Sequence, residues 1–85
     1  MARSEVEFKK SALKQLRKLP KQIQTGILKS ITTYLVDSSH IADGKHIKKL
    51  TGGYRLRYTN YRIFYYINKN TVMITSIVRR TSTTY

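Results

Sequence analysis

The stretch GYRLRYTNYRIFYYI, residues 53–67, decides the fold of this 85-residue chain. Apolar and basic residues alternate on both sides of Thr59 and Asn60, as in strands that bury one face. If Thr59 and Asn60 are the two central residues of a hairpin turn, Arg57 lies directly across from Arg62. One face then carries Tyr54, Leu56, Tyr58, Tyr61, Ile63, Tyr65 and Ile67, and the other carries Arg55, Arg57, Arg62, Phe64 and Tyr66.

Working outward from this hairpin, the pattern predicts one further strand on each side and two helices. Residues 71–78 follow a second turn and are rich in β-branched residues, and residues 4–8 alternate apolar and acidic positions. Leucines recur at helical spacing up to Pro20, and a second apolar stripe runs from Ile23 to Leu35. We therefore predict a single α+β domain over residues 1–85: an N-terminal strand, a helical hairpin, then a three-stranded antiparallel meander with both helices on its apolar face.

The charge balance indicates an anionic partner. Lys and Arg number 17 against four acids, which gives a net charge of +13, and an excess of this size favours encounter with nucleic acid or with an acidic protein. The chain has no cysteine, no apolar run long enough to span a bilayer and no apolar signal-peptide core. We expect a soluble protein of the cytoplasm.

Three arginines on one face of a hairpin form the candidate site. Like charges that face each other across a strand pair destabilise the free protein, so an anionic ligand is expected there. Guanidinium binds phosphate through two donors at once, and Phe64 or Tyr66 could stack on a base. The alternative is that these arginines are only the solvent side of an amphipathic sheet.

Metal and cofactor chemistry have little support in the sequence. Four acids are too few for a two-metal nuclease site, because Mg²⁺ sites depend on carboxylates. His40 and His46 have no companion at metal-ligand spacing, and no nucleotide-binding glycine loop is present. We expect no metal and no cofactor.

The end of the last strand allows two registers. A two-residue turn at Lys69 and Asn70 pairs Arg62 with Ile77, which puts Arg79 on the face of the arginines and Arg80 on the helix face. A longer turn, or an irregular chain after Val78, would instead bring Arg80 to Arg62.

Several segments resemble RelE-type toxins of bacterial type II toxin–antitoxin systems. They are the opening strand and first helix, KKLTGGYRLRYTNYRIFYYI over residues 48–67, and the ending IVRRTSTTY. The resemblance implies a RelE-like α+β fold that cuts mRNA, at the ribosomal A site in RelE itself, without a metal, and that is held by a cognate acidic antitoxin. It also favours Arg80 over Arg79 as the site residue.

Carried over to this sequence, the resemblance implies a set of catalytic residues, namely Arg55, Arg57, Arg62, Arg80 and Tyr85. The expected RNA-binding residues are Lys48, Lys49, Phe64, Tyr66 and Arg79. A guanidinium is a poor base, so Tyr85 is the first candidate for proton transfer and His46 the second.

Two other functions compete with RNA cleavage. The ParE branch of the same fold inhibits DNA gyrase and lacks an RNA-cleaving site, and the arginine and tyrosine set argues against it. A non-catalytic nucleic-acid-binding module would need only the charge and the aromatic residues.

Overall fold

The computed structural model describes residues 5–36 and 46–79. Strand β1 (Glu5–Phe8) precedes helices α1 (Lys10–Arg17) and α2 (Lys21–Ile31), and α2 continues into a π-helical segment, Thr32–Val36. Strands β2 (Ile47–Leu50), β3 (Gly53–Tyr58), β4 (Tyr61–Asn68) and β5 (Thr71–Arg79) follow. The five strands form one sheet in the order β1-β5-β4-β3-β2, in which β1 is parallel to β5 and the other neighbours are antiparallel.

The predicted α+β fold is confirmed, with one strand more than the sequence indicated. Strand β2 was not predicted, because Ile47, Lys48, Lys49 and Leu50 show neither clean alternation nor β-branched enrichment. It forms because β3 offers a free edge to which these residues can pair, with Ile47 opposite the buried Leu56. The antiparallel meander therefore has four strands instead of three.

Both helices pack on one side of the sheet, α1 against β5 and α2 against β3. The helices bury Ala12, Leu16, Ile27, Ile31 and Leu35 against the sheet residues Ile47, Leu56, Tyr61, Ile63, Tyr65, Val72, Ile74 and Ile77. Gly26 allows the close approach of α2, because a Cβ at this position would overlap the Tyr58 hydroxyl. None of the described helices has the length and hydropathy needed to cross a membrane.

The hairpin at the centre of the sheet has the predicted register. Tyr58 pairs with Tyr61 and Arg57 with Arg62 across the turn at Thr59 and Asn60. Thr59 has a φ of 49°, as the sharp reversal of the chain requires. The apolar residues of β3 and β4 therefore face the helices, and their arginines face away.

Of the two registers considered for the end of β5, simple alternation after a two-residue turn holds only as far as Tyr65, because the strand contains a β-bulge. The turn at Lys69 and Asn70 has two residues, as expected, but the register shifts between Phe64 and Tyr65. Thr75 is the extra residue, and its hydroxyl donates to the Phe64 carbonyl at 3.1 Å.

Beyond the bulge, β5 is displaced by one residue from the simple alternation. Arg62 lies opposite Val78 instead of Ile77, and Arg79 lies opposite Tyr61 on the helix side. The expected placement of Arg79 beside the other arginines is therefore incorrect. Arg80 lies outside the described residues, so the sheet register no longer favours Arg79 over it.

Candidate nucleic-acid interface

The sheet face that points away from the helices carries Lys48, Arg55, Arg57, Arg62, Phe64 and Tyr66, and we call it the arginine face. Its side chains form rows across the sheet. One row runs Lys48, Arg55, Phe64, Ser76, and the next runs Arg57, Arg62, Val78. The predicted clustering of the three arginines on one face is confirmed by this register.

The geometry of the sheet brings four cations into a small patch. Directly opposed residues have Cβ atoms about 5 Å apart, and residues two apart along a strand are about 7 Å apart. Lys48 and Arg57 are exposed, whereas Arg55 and Arg62 are half-buried. Among the described residues, the Nε of Arg55 is buried and has no hydrogen-bond partner. Guanidinium and ammonium groups gathered in this way favour a phosphate ligand, which accepts charge-assisted hydrogen bonds from them.

No carboxylate side chain neutralises the arginine face from within its own strands. The sequence after Asp43 has no aspartate or glutamate. The two acids among the described residues, Glu5 and Glu7, lie on β1, three strands away from β3, or about 14 Å at the usual strand spacing. This distance exceeds the Debye length of about 8 Å at physiological salt, so these two carboxylates do not neutralise the patch.

The same shortage of acids limits the chemistry that the site can perform. Within residues 5–36 and 46–79, no group of three or more histidine, cysteine, aspartate or glutamate residues could hold a metal ion. The described part of the arginine face thus offers guanidinium and ammonium groups, which stabilise negative charge, but no carboxylate base.

Three residues nominated from the sequence lie away from the arginine face. Lys49 pairs with Tyr54 on the helix side of the sheet, and Arg79 pairs with Tyr61 on that side. The His46 ring stacks on Tyr34 of the helical layer, with ring centroids 4.8 Å apart. The structure therefore does not support direct contact between these three side chains and a ligand on the arginine face.

The remaining nominated catalytic residues, Arg80 and Tyr85, lie outside the described residues, and their roles stay predictions. Tyr65 is not a substitute for Tyr85. Its side chain lies in the core on the helix side, stacked on Tyr54. Burial, and secondarily the neighbouring Tyr54, raise the pKa of Tyr65 well above the ordinary phenol value, so it keeps its proton.

The sequence did not indicate a cavity of about 180 Å³ that lies beside the row containing Arg55. It is lined by Leu50, Gly52, Gly53, Phe64, Tyr66 and Thr75, among others. The paired glycines before β3 were the available signal, but the sequence suggested only a turn at that position.

Comparison with known proteins places this architecture in a recognised family. Residues 6–83 match the family model described as the ParE toxin of the type II toxin–antitoxin system, parDE. No curated protein matches the chain significantly.

Solved structures show the same fold. The RelBE2 toxin–antitoxin complex of Mycobacterium tuberculosis matches with a TM-score of 0.76 and 26% identity over 94% of each chain. The RelB–RelE complex of Methanococcus jannaschii matches with a TM-score of 0.65 and 28% identity, over 85% of this chain and 87% of that chain. The isolated Escherichia coli RelE toxin has a TM-score of 0.76 at 21% identity, over 95% and 88% of the two chains, and supports the fold alone. The match over nearly the whole length shows that this chain belongs to the ParE toxin family, within the RelE/ParE superfamily of type II toxin–antitoxin toxins.

Proposed function

We propose that this toxin is a metal-independent endoribonuclease that cuts mRNA, on the ribosome, and so inhibits translation in the bacterial cytoplasm. The observation that carries the proposal is the arginine face, where Arg55, Arg57 and Arg62 share one side of the sheet. No acid in strands β2 to β5 offsets them. The three arginines repel one another in the free protein, but together they form a preformed site for the phosphates of an RNA backbone.

The proposed reaction is attack of a 2′-hydroxyl oxygen on the adjacent phosphorus. The O2′–P bond forms and the P–O5′ bond breaks, which leaves a 2′,3′-cyclic phosphate and a 5′-hydroxyl. Negative charge builds up on the phosphoryl oxygens in the transition state, and the proposed role of Arg55, Arg57 and Arg62 is to stabilise it. Arg80 would supply a further guanidinium.

Two protons must also move, one from the 2′-hydroxyl and one to the leaving 5′-oxygen. Arginine remains protonated at ordinary pH and cannot act as the base. We propose Tyr85 for proton transfer, because the family resemblance implies this role and a phenol hydroxyl can both accept and donate a proton.

The natural partner of the free toxin is an acidic antitoxin. The similar structures from M. tuberculosis and M. jannaschii are toxin–antitoxin complexes, and a chain with a net charge of +13 suits an acidic, charge-neutralising segment. Binding should weaken from low to high salt as the charges are screened. Affinity that does not change with salt would argue against this mode of binding.

The direct test is incubation of purified toxin with RNA and with translating ribosomes, in the presence of EDTA. We expect cleavage with 2′,3′-cyclic phosphate ends. Arg62→Gln, Arg80→Ala and Tyr85→Phe should each lower the cleavage rate at least about tenfold, or about 1.4 kcal/mol. Arg17→Gln removes one charge from the helical layer and should leave the rate unchanged.

The competing functions give different results in the same experiment. Loss of gyrase supercoiling without RNA cleavage would assign the chain to the gyrase-inhibiting branch, whose family description it matches. Salt-sensitive RNA binding without cleavage would indicate a binding module. Either result would refute the proposed nuclease.

A further inference from the structure

The cavity of about 180 Å³ opens on the arginine face, next to the row that contains Arg55. Phe64 and Tyr66 supply aromatic walls, and Leu50 lies on the opposite side. Thr75, the bulged residue of β5, completes the lining, and its hydroxyl is already engaged with the Phe64 carbonyl. The cavity thus has an aromatic and aliphatic wall beside a strongly cationic surface.

A missing side chain creates this cavity. Leu50 pairs with Gly53, and Gly53 lies next to Tyr66, because a Cβ at position 53 would lie 3.4 Å from the Tyr66 Cβ. A Cβ at position 53 would come within 2.5 Å of the Tyr65 carbonyl oxygen, so the strand pairing requires glycine. The row that crosses the sheet here therefore has a gap between Leu50 and Tyr66.

The size and the lining of this gap fit a flat ring. Its volume is below the roughly 300–1,000 Å³ of pockets that enclose a whole drug-sized ligand. Unpaired bases usually stack on aromatic side chains. Any of the four bases can stack in this way, because each has a π face. The neighbouring row with Lys48 and Arg55 lies about 7 Å away along the strands, within one nucleotide's reach for a phosphate.

We propose that this cavity, which has Gly53 at its floor, holds one unpaired nucleobase of an RNA. The phosphates of that RNA lie along Lys48, Arg55 and Arg57. The inference rests on the proposed function, since it takes the arginine face as the phosphate site. The base is held by stacking against Tyr66 and by apolar contact with Leu50. This base flanks the nucleotides at the arginines and fixes the register of the RNA strand on the sheet.

The test uses short single-stranded RNA oligonucleotides with a 2′-O-methyl group at each position, which the toxin cannot cut because the blocked 2′-oxygen cannot attack the phosphorus. An abasic residue is moved along the oligonucleotide one position at a time, and affinity is measured by fluorescence anisotropy. For the wild-type chain we expect one position at which loss of the base weakens binding at least about fivefold. Other positions should change affinity much less.

The variants connect that position to the pocket. Tyr66→Leu keeps an apolar side chain but removes the stacking surface, so the position-dependent loss should disappear. Tyr66→Phe should restore it. Tyr34→Leu removes an aromatic ring from the helical layer and should leave the profile intact. Gly52→Leu is a second route, because a Cβ at Gly52 meets no atom within 4 Å; the added side chain at the rim should also flatten the profile.

The outcomes separate the pocket from the phosphate site. A flat abasic profile in the wild type, or a profile unchanged in Tyr66→Leu and Gly52→Leu, would overturn the pocket while leaving the nuclease proposal standing. Absence of any salt-sensitive binding, with no loss of affinity in Arg62→Gln, would instead overturn the phosphate site itself. If Tyr66→Leu fails to fold, judged by circular dichroism, Gly52→Leu decides the question.

Discussion

Replacing Arg57 with glutamine should stabilise the free toxin and impair its activity. Arg57 lies directly across from Arg62, and like charges in this arrangement cost about 0.2–1 kcal/mol. Arg55 and Lys48 lie on the adjacent row, about 7 Å from Arg57. At this distance and the dielectric constant of water, the repulsion between Arg57 and each of them is about 0.6 kcal/mol before salt screening. Screening reduces this second contribution, so Arg57→Gln should raise the free energy of unfolding by about 0.5–1 kcal/mol at low salt.

The assay measures both properties of the same variant. Thermal unfolding should show an increase of about 2–8 °C in Tm, since 1 kcal/mol corresponds to roughly 4–8 °C in a domain of this size. RNA cleavage should fall at least about tenfold. Arg57→Lys keeps the charge and should show no gain in stability, and Arg17→Gln should keep the cleavage rate.

Two further measurements probe the cause of the stabilisation. The gain should shrink as salt is added, because exposed charges are screened. A double-mutant cycle with Arg62→Gln should give an unfavourable coupling between the two arginines. A gain that persists at high salt, or a variant that is less stable than the wild type, would refute the view that crowded arginines are held together for an anionic ligand.

Four other variants test the packing of the sheet that carries the site. Tyr65→Phe should leave stability unchanged or raise it by about 1 kcal/mol, since the Tyr65 hydroxyl is buried without a hydrogen-bond partner among the described residues. The raised pKa of Tyr65 means that the folded wild type keeps a proton that the unfolded chain releases above about pH 10, so the wild type loses stability as the pH rises. Tyr65→Phe should lose less stability over the same range. Chemical unfolding at pH 8 and pH 11 measures the difference. Gln15→Ala should cost about 1–2 kcal/mol of unfolding free energy, because the Gln15 Oε1 accepts the Ile77 N–H at 2.7 Å; an unchanged urea midpoint would show that this hydrogen bond does not stabilise the fold. Gly53→Ala should be more damaging than Gly52→Ala in the same assay, since only the former places a Cβ against a backbone carbonyl.

The sequence by itself determined the central hairpin and the face on which its arginines lie. Strand side chains alternate with a period of two, and a two-residue turn at Thr59 and Asn60 leaves one register, so Arg57 had to meet Arg62. The apolar stripe from Ile23 to Leu35 likewise indicated a helix with one buried face. These are local properties, because neighbouring residues alone set them.

Only the tertiary structure decided the features that depend on distant partners. Strand β2 has little strand character of its own and exists because β3 provides an edge for it to pair with. The bulge in β5 moved Arg79 to the helix side, and beyond the bulge the N–H of Ile77 donates to the Gln15 side chain, 62 positions away in sequence. The pocket at Gly53 appears only when Leu50 and Tyr66 are brought together across three strands. A pattern of neighbours along the chain cannot specify such contacts, since their energy comes from residues that become neighbours only after folding.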